Sequence, residues 1–130
     1  MSKESWLEEF WLGDIENLDR DNEIEIINHS LQKWIGLLPE NLDKHGAFIN
    51  NFRNVSTDKE LILITGNTTC SLCRFYDCDN TCPIFRSKMG CDDIPNSPWR
   101  KYMNESDPKP MVRLLKRIMK KAIKEKQNNA

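Results

Sequence analysis

The sequence predicts a small α+β domain, mainly helical, with a short β element and an irregular cysteine-rich segment. Three observations predict it. Residues 22–38 and 111–126 repeat apolar side chains at helical spacing. Residues 60–65 read Glu-Leu-Ile-Leu-Ile-Thr, a short apolar run of strand length. Five cysteines fall between Cys70 and Cys91, and the remaining chain has none. At 130 residues the chain is one ordinary domain. It divides into an acidic helical part (1–58), a strand with the cysteine module (59–104) and a basic amphipathic helix (108–126).

Taken in order, residues 5–12 suit a short helix. Ser5 and Glu8 have capping-box spacing, and Gly13 can end it. Trp6 with Phe10, and Leu7 with Trp11, stand four apart and share helix faces. So short a segment cannot hide four large apolar groups by itself. Either it folds back onto the core, or Trp6, Phe10 and Trp11 form an acidic-aromatic anchor for another protein.

Residues 22–38 form the strongest helix. Ile24, Ile27, Leu31, Trp34, Ile35 and Leu38 make one stripe, Asn22 and Glu25 suit its cap, and Pro39 lies just past its end. His29 falls off the stripe, where a solvated side chain is expected. Residues 42–52 are ambiguous: Phe48 and Phe52 have helical spacing, but Gly46 argues for a break. His45 has Asp43 as a nearby carboxylate and no nucleophile in sequence reach.

The strand at 60–65 needs a partner, since one strand is not stable alone; residues 84–86 are a candidate. Residues 68–98 are turn-rich, and so long an irregular stretch needs an organiser. Ser97 and Pro98 suit the cap and first position of a short helix. In the last helix Met111, Leu114, Leu115, Ile118, Met119, Ala122 and Ile123 form the apolar face. Arg113, Lys116, Arg117, Lys120, Lys121 and Lys124 form the opposite one.

Charge is unevenly spread behind a formal net of -1. Residues 1–44 carry eleven acidic and four basic side chains; residues 107–130 carry two and eight. The two ends either attract one another or present separate electrostatic surfaces. The six cations of the last helix resemble a nucleic-acid footprint. Against that, the sequence pI is about 6.1, and the acidic half repels phosphate.

The cysteines read C-x2-C-x4-C-x3-C-P-x7-C. Residues 1–13 contain no apolar run of signal-peptide length, and no stretch approaches the roughly 20 apolar residues of a membrane span. The expectation is a cytoplasmic protein with no membrane contact. There, clustered cysteines stay reduced and bind metal, and an odd number cannot all pair. Tetrahedral zinc takes four thiolates at about 2.3 Å. Cys70 and Cys73 are the surest pair. Cys82 and Cys91 allow longer loops than Cys78 does, so Cys70, Cys73, Cys82 and Cys91 rank first, with Cys78 as the alternative ligand. An iron–sulfur cluster is the alternative cofactor, because C-x3-C-P echoes a ferredoxin run, although the preceding gap here is four residues rather than two. Such a metal would add folding energy to a core that 38% hydrophobic and 30% charged residues leave modest.

No catalytic carboxylate pair, nucleophile elbow or phosphate loop appears, so an enzyme is not expected, and a C-x-x-C thiol redox role ranks last. The stretch T-T-C-S-L-C-R-F-Y-D-C-D-N-T-C-P-I-F, followed by G-C and S-P-W-R-K-Y, resembles a group of small phage-encoded proteins. They share a C-x-L-C pair, a C-x-x-C-P-[LI] step, a cysteine beside a glycine, and S-P-[YW]. In this chain these fall on Cys70, Leu72, Cys73, Cys78, Cys82, Pro83, Ile84, Gly90, Cys91, Ser97, Pro98 and Trp99. The gap from Cys78 to Cys82 is three residues where the group has two. The resemblance implies a phage accessory protein acting in the infected bacterial cytoplasm, countering a host defence or redirecting a host machine. Its expected partner is a host protein, with nucleic acid as the alternative.

Overall fold

In the computed structural model, which describes residues 3–65, 72 and 97–128, helices dominate and a small sheet closes one side. The first helix, α1 (Lys3–Phe10), is followed by a 3-10 turn (Ile15–Asn17). Then come α2 (Glu23–Ile35), α3 (Pro39–Lys44), β1 (Phe48–Ile49), β2 (Val55–Ser56) and β3 (Leu61–Leu63). After the cysteine segment stand α4 (Pro98–Glu105) and α5 (Lys109–Asn128). The α+β class is as the sequence predicts.

α1 lies two residues earlier than the capping argument placed it. Ser5 does not cap; its hydroxyl is 2.8 Å from His45 Nδ1. Gly13 does end the segment, at φ 92°, where a side chain would be strained. α2 starts as predicted, with Asn22 Oδ1 accepting from the Glu25 amide at 3.1 Å. It ends earlier, at Ile35. Pro39 is the first residue of α3 rather than a stop beyond α2, and the preceding Leu38 is extended, as a residue before proline prefers. Asn41 Nδ2 then donates to the Ile35 carbonyl at 2.8 Å and satisfies an open C-terminal acceptor of α2.

α2 is buried over a wider arc than its predicted stripe. Ile26 and Ser30 are buried beside Ile27, Leu31 and Trp34, while Ile24, Ile35 and Leu38 are half-buried at the rim. The cause is position: α2 packs against α1 and also along α5. α2 and α5 run antiparallel, since Asn22 and Ile24 line the same depression as Ala122 and Lys126. At the other end Trp34 meets α4, with its ring edge-on to Tyr102 at 4.7 Å and to Trp99 at 6.0 Å.

The ambiguous stretch 42–52 splits at Gly46 (φ 67°) into the end of α3 and β1. Phe48 and Phe52 are therefore not helical neighbours. The sheet is antiparallel in the order β1-β2-β3. Phe48 pairs with Ser56 and Ser56 with Leu61 on one face; Ile49 pairs with Val55 and Val55 with Leu63 on the other. A register shift at Val55/Ser56 lets Ile62 and Leu63 both be buried. Among the described residues the partner of the predicted strand is β2; the candidate partner 84–86 lies outside them.

α4 begins as predicted, with Ser97 Oγ accepting from the Arg100 amide at 3.2 Å. Its Tyr102 is fully buried and donates its hydroxyl to the Arg53 carbonyl. Burial pushes that phenol up to about 12.

Candidate functional site

The aromatic anchor expected at the N-terminus is not a surface. Trp6 is 0% exposed and Phe10 5%. Trp6 Nε1 donates to the Gly36 carbonyl at 3.0 Å, and its ring lies 5.6 Å from that of Phe10. Trp11 is half-buried, edge-on to His29 at 4.4 Å. An anchor needs accessible area, and Trp6 and Phe10 have spent theirs on the core, so their placement in a partner-binding site is corrected. His29 is corrected too. It is buried rather than solvated, and its Nε2 donates to the Gly13 carbonyl at 2.9 Å. No local periodicity signals this, because Gly13 precedes His29 by sixteen residues.

A second array was also invisible in the sequence. Ser5 and Glu9 stand four apart on α1, and buried His45 bridges them. Its Nδ1 faces Ser5 Oγ at 2.8 Å and its Nε2 faces Glu9 Oε1 at 2.9 Å. Lys44 Nζ holds the two Glu9 oxygens at 2.8 and 3.0 Å. The carboxylate partner of His45 is thus Glu9, not Asp43. The array ties α1 to the end of α3.

Hydrogen bonds from Lys44, then from His45, hold the Glu9 carboxyl below its ordinary value of 4.5. A carboxyl that is more acidic folded than unfolded stabilises above its ordinary value. That contribution is lost as pH falls through the folded value. Glu9→Gln should therefore lower the melting temperature at neutral pH. The difference from wild type should shrink once the pH is below the carboxylate range. Parallel melts across that range check this, and a constant offset would mean that Glu9 ionisation is irrelevant.

The basic face of α5 is built as the sequence predicts. Met111, Leu114, Leu115, Ile118 and Ala122 are buried, and Arg113, Lys116, Arg117, Lys120, Lys121 and Lys124 are all exposed. Between described residues, Glu9 pairs with Lys44 and His45, and no ion pair between described residues reaches the six cations of α5. The two charged ends of the chain meet where α2 packs along α5. Asp19, Asp21 and Glu23 share a depression with Glu125 and Lys126 at the C-terminal end of α5. The field along α5 is therefore graded. Its N-terminal half has Arg113, Lys116 and Arg117 together with the positive end of the helix dipole. Its C-terminal end has the acidic loop beside it.

Cys70, Cys73, Cys78, Cys82 and Cys91 lie outside the described residues. Leu72, between the first two, is described, and it is fully buried in the core. Among the described residues no group of His, Cys, Asp and Glu is arranged to hold a metal, and no helix is long and apolar enough to cross a membrane. No protein family, curated protein or solved structure matches this chain.

Proposed function

We propose that this protein is a metal-organised nucleic-acid-binding module, with the basic face of α5 as its working surface. One observation carries the proposal: six cations stand exposed on one side of a 20-residue helix whose other side is sunk in the core. A helix so held presents its charges in a fixed row. From Arg113 to Lys124 the row spans roughly 16 Å at 1.5 Å rise per residue, enough to follow several phosphates. Zinc is the metal of this reading, held by Cys70, Cys73, Cys82 and Cys91, with Cys78 as alternative ligand and an iron–sulfur cluster as alternative cofactor. The resemblance to small phage-encoded proteins supports an accessory role in an infected bacterial cell. A host-protein partner was expected at Trp6, Phe10 and Trp11; burial of the first two takes the support from that surface and leaves the polyanion reading ahead.

Labelled DNA and RNA, titrated with the protein at several salt concentrations and followed by fluorescence anisotropy, test it. If about five phosphates are neutralised, log K should fall against log[salt] with a slope of about −4.5 on a duplex and about −3.5 on a single strand. Neutralising Arg113, Lys116 and Arg117 to Gln should flatten that slope by about 2 to 3. The same change at Lys120, Lys121 and Lys124 should cost less, because the acidic loop already weakens the field near that end. Equal losses would refute the graded field, and affinity indifferent to all six would remove α5 as the surface.

A further inference from the structure

The turn between β1 and β2 carries the most exposed large apolar side chain described, Phe52 at 81%. Its neighbours invest their polar groups in holding the turn still. Asn50 Oδ1 accepts from the Phe52 amide at 2.9 Å and from the Asn54 amide at 3.1 Å. The Asn50 amide donates to the Asn54 carbonyl, and the Arg53 amide to the Asn50 carbonyl, each at 2.9 Å. Asn54 Oδ1 in turn accepts from the Thr65 amide at 2.9 Å, which ties the turn to the end of the sheet.

Arg53 then locks the turn onto α4 from both directions. Its Nε donates to the Met103 carbonyl at 2.8 Å, and its own carbonyl accepts from the buried Tyr102 hydroxyl. Arg53 sits at φ 65°, a left-handed conformation that a long side chain enters at a cost. Such strain persists only where surrounding structure over-determines it, and it clusters at functional positions. Here its effect is to hold a phenylalanine in water on a rigid support, with a cation next to it in the chain. α4, which anchors the turn, packs directly on α5.

We propose that Phe52 is a base-stacking platform and that the nucleic acid this protein prefers is single-stranded. The inference rests on the nucleic-acid reading of α5 and adds the strand state to it. A paired base hides its faces in the helical stack; an unpaired base offers a π-face that any exposed aromatic can cover. Pre-fixing the backbone that carries the ring lowers the ordering cost that a mobile loop would lose on binding. The Arg53 guanidinium donates within the described residues through Nε alone, and its remaining donors are available to the flanking phosphate.

The test uses the full-length protein with a labelled mixed-sequence single strand and a duplex of the same sequence. Phe52→Ala should bind the single strand at least about fivefold more weakly and the duplex unchanged. Phe52→Tyr should restore single-strand affinity, and Phe52→Leu should not, because leucine keeps the apolar bulk without the π-face. Because the ring is exposed, all three variants should melt like wild type. Unchanged single-strand binding by Phe52→Ala, rescue by leucine, or an equal loss on the duplex would each overturn the stacking role. If neutralising Arg113, Lys116 and Arg117 weakens binding while Phe52→Ala does not, the α5 reading stands and this one alone falls. If wild type binds neither nucleic acid, both fall together.

Discussion

Gly36→Ala should destabilise the protein by about 1–3 kcal/mol, the usual range for overpacking a filled core. Gly36 has ordinary helical dihedrals, so the backbone can accept alanine without strain. The obstacle is space. A Cβ there would stand 2.7 Å from Trp6 Cζ2, 2.7 Å from Phe10 Cγ and 2.8 Å from Phe10 Cβ. These are stiff ring atoms and a Cβ at the root of a side chain, not the far end of a flexible chain, so α1 itself must shift. Trp6→Ala, the reverse change, removes the ring and leaves the Gly36 carbonyl without its donor. It should cost about 3–5 kcal/mol for the lost packing, with further loss from the orphaned acceptor. Urea unfolding followed by circular dichroism measures both. Because Trp6 supplies one of the three close atoms and Phe10 the other two, Gly36→Ala should cost somewhat less once Trp6 is already alanine. An additive pair would place the clash of the new Cβ on Phe10 alone. A Trp6→Ala protein as stable as wild type would return Trp6 to the surface and revive the protein-anchor reading.

The same contact shows where sequence reasoning runs out. What was legible was local. The Asn22 cap, the Ser97–Pro98 start and the two faces of α5 depend on residues three or four apart, and periodicity encodes them directly. What was missed joins distant positions: Trp6 to Gly36, His29 to Gly13, His45 to Glu9, Tyr102 to Arg53. Nothing in the sequence near His45 distinguishes Asp43 from Glu9; only the docking of α1 does. The narrow stripe drawn on α2 failed for a related reason. A helix with one covered side shows one stripe, but α2 is covered by both α1 and α5, and Ser30 is buried along with the apolar residues. The candidate interface divides in the same way. The α5 cations are legible because amphipathic spacing places them, whereas the spacing of Phe52 to Phe48 points to a helix, and only the bonds that fix its turn show its place.

If the proposed zinc is bound, its removal carries the largest expected effect. Structural zinc stabilises small folds by roughly 10–16 kcal/mol in peptides, as much as or more than the roughly 5–15 kcal/mol of a whole domain. Leu72, which stands between Cys70 and Cys73 in the sequence, is fully buried in the same core as Trp34 and Leu115. Chelation should therefore lower the melting temperature of the whole protein rather than loosen the cysteine segment alone. Helical circular dichroism should fall in the same transition as the tryptophan signal. Leu72→Ala should cost about 2–5 kcal/mol even with metal bound. A chelated protein that keeps its helical melt would show that α2 and α5 stand without the metal. Metal analysis before chelation separates the cofactors, since one colourless zinc per chain and a coloured iron–sulfur cluster cannot be confused. Two serine variants then choose the ligands. If Cys70, Cys73, Cys82 and Cys91 hold the zinc, Cys91→Ser should lose metal and stability together while Cys78→Ser keeps both. The opposite result would assign the site to Cys70, Cys73, Cys78 and Cys82, which gathers every ligand into the thirteen residues around Leu72.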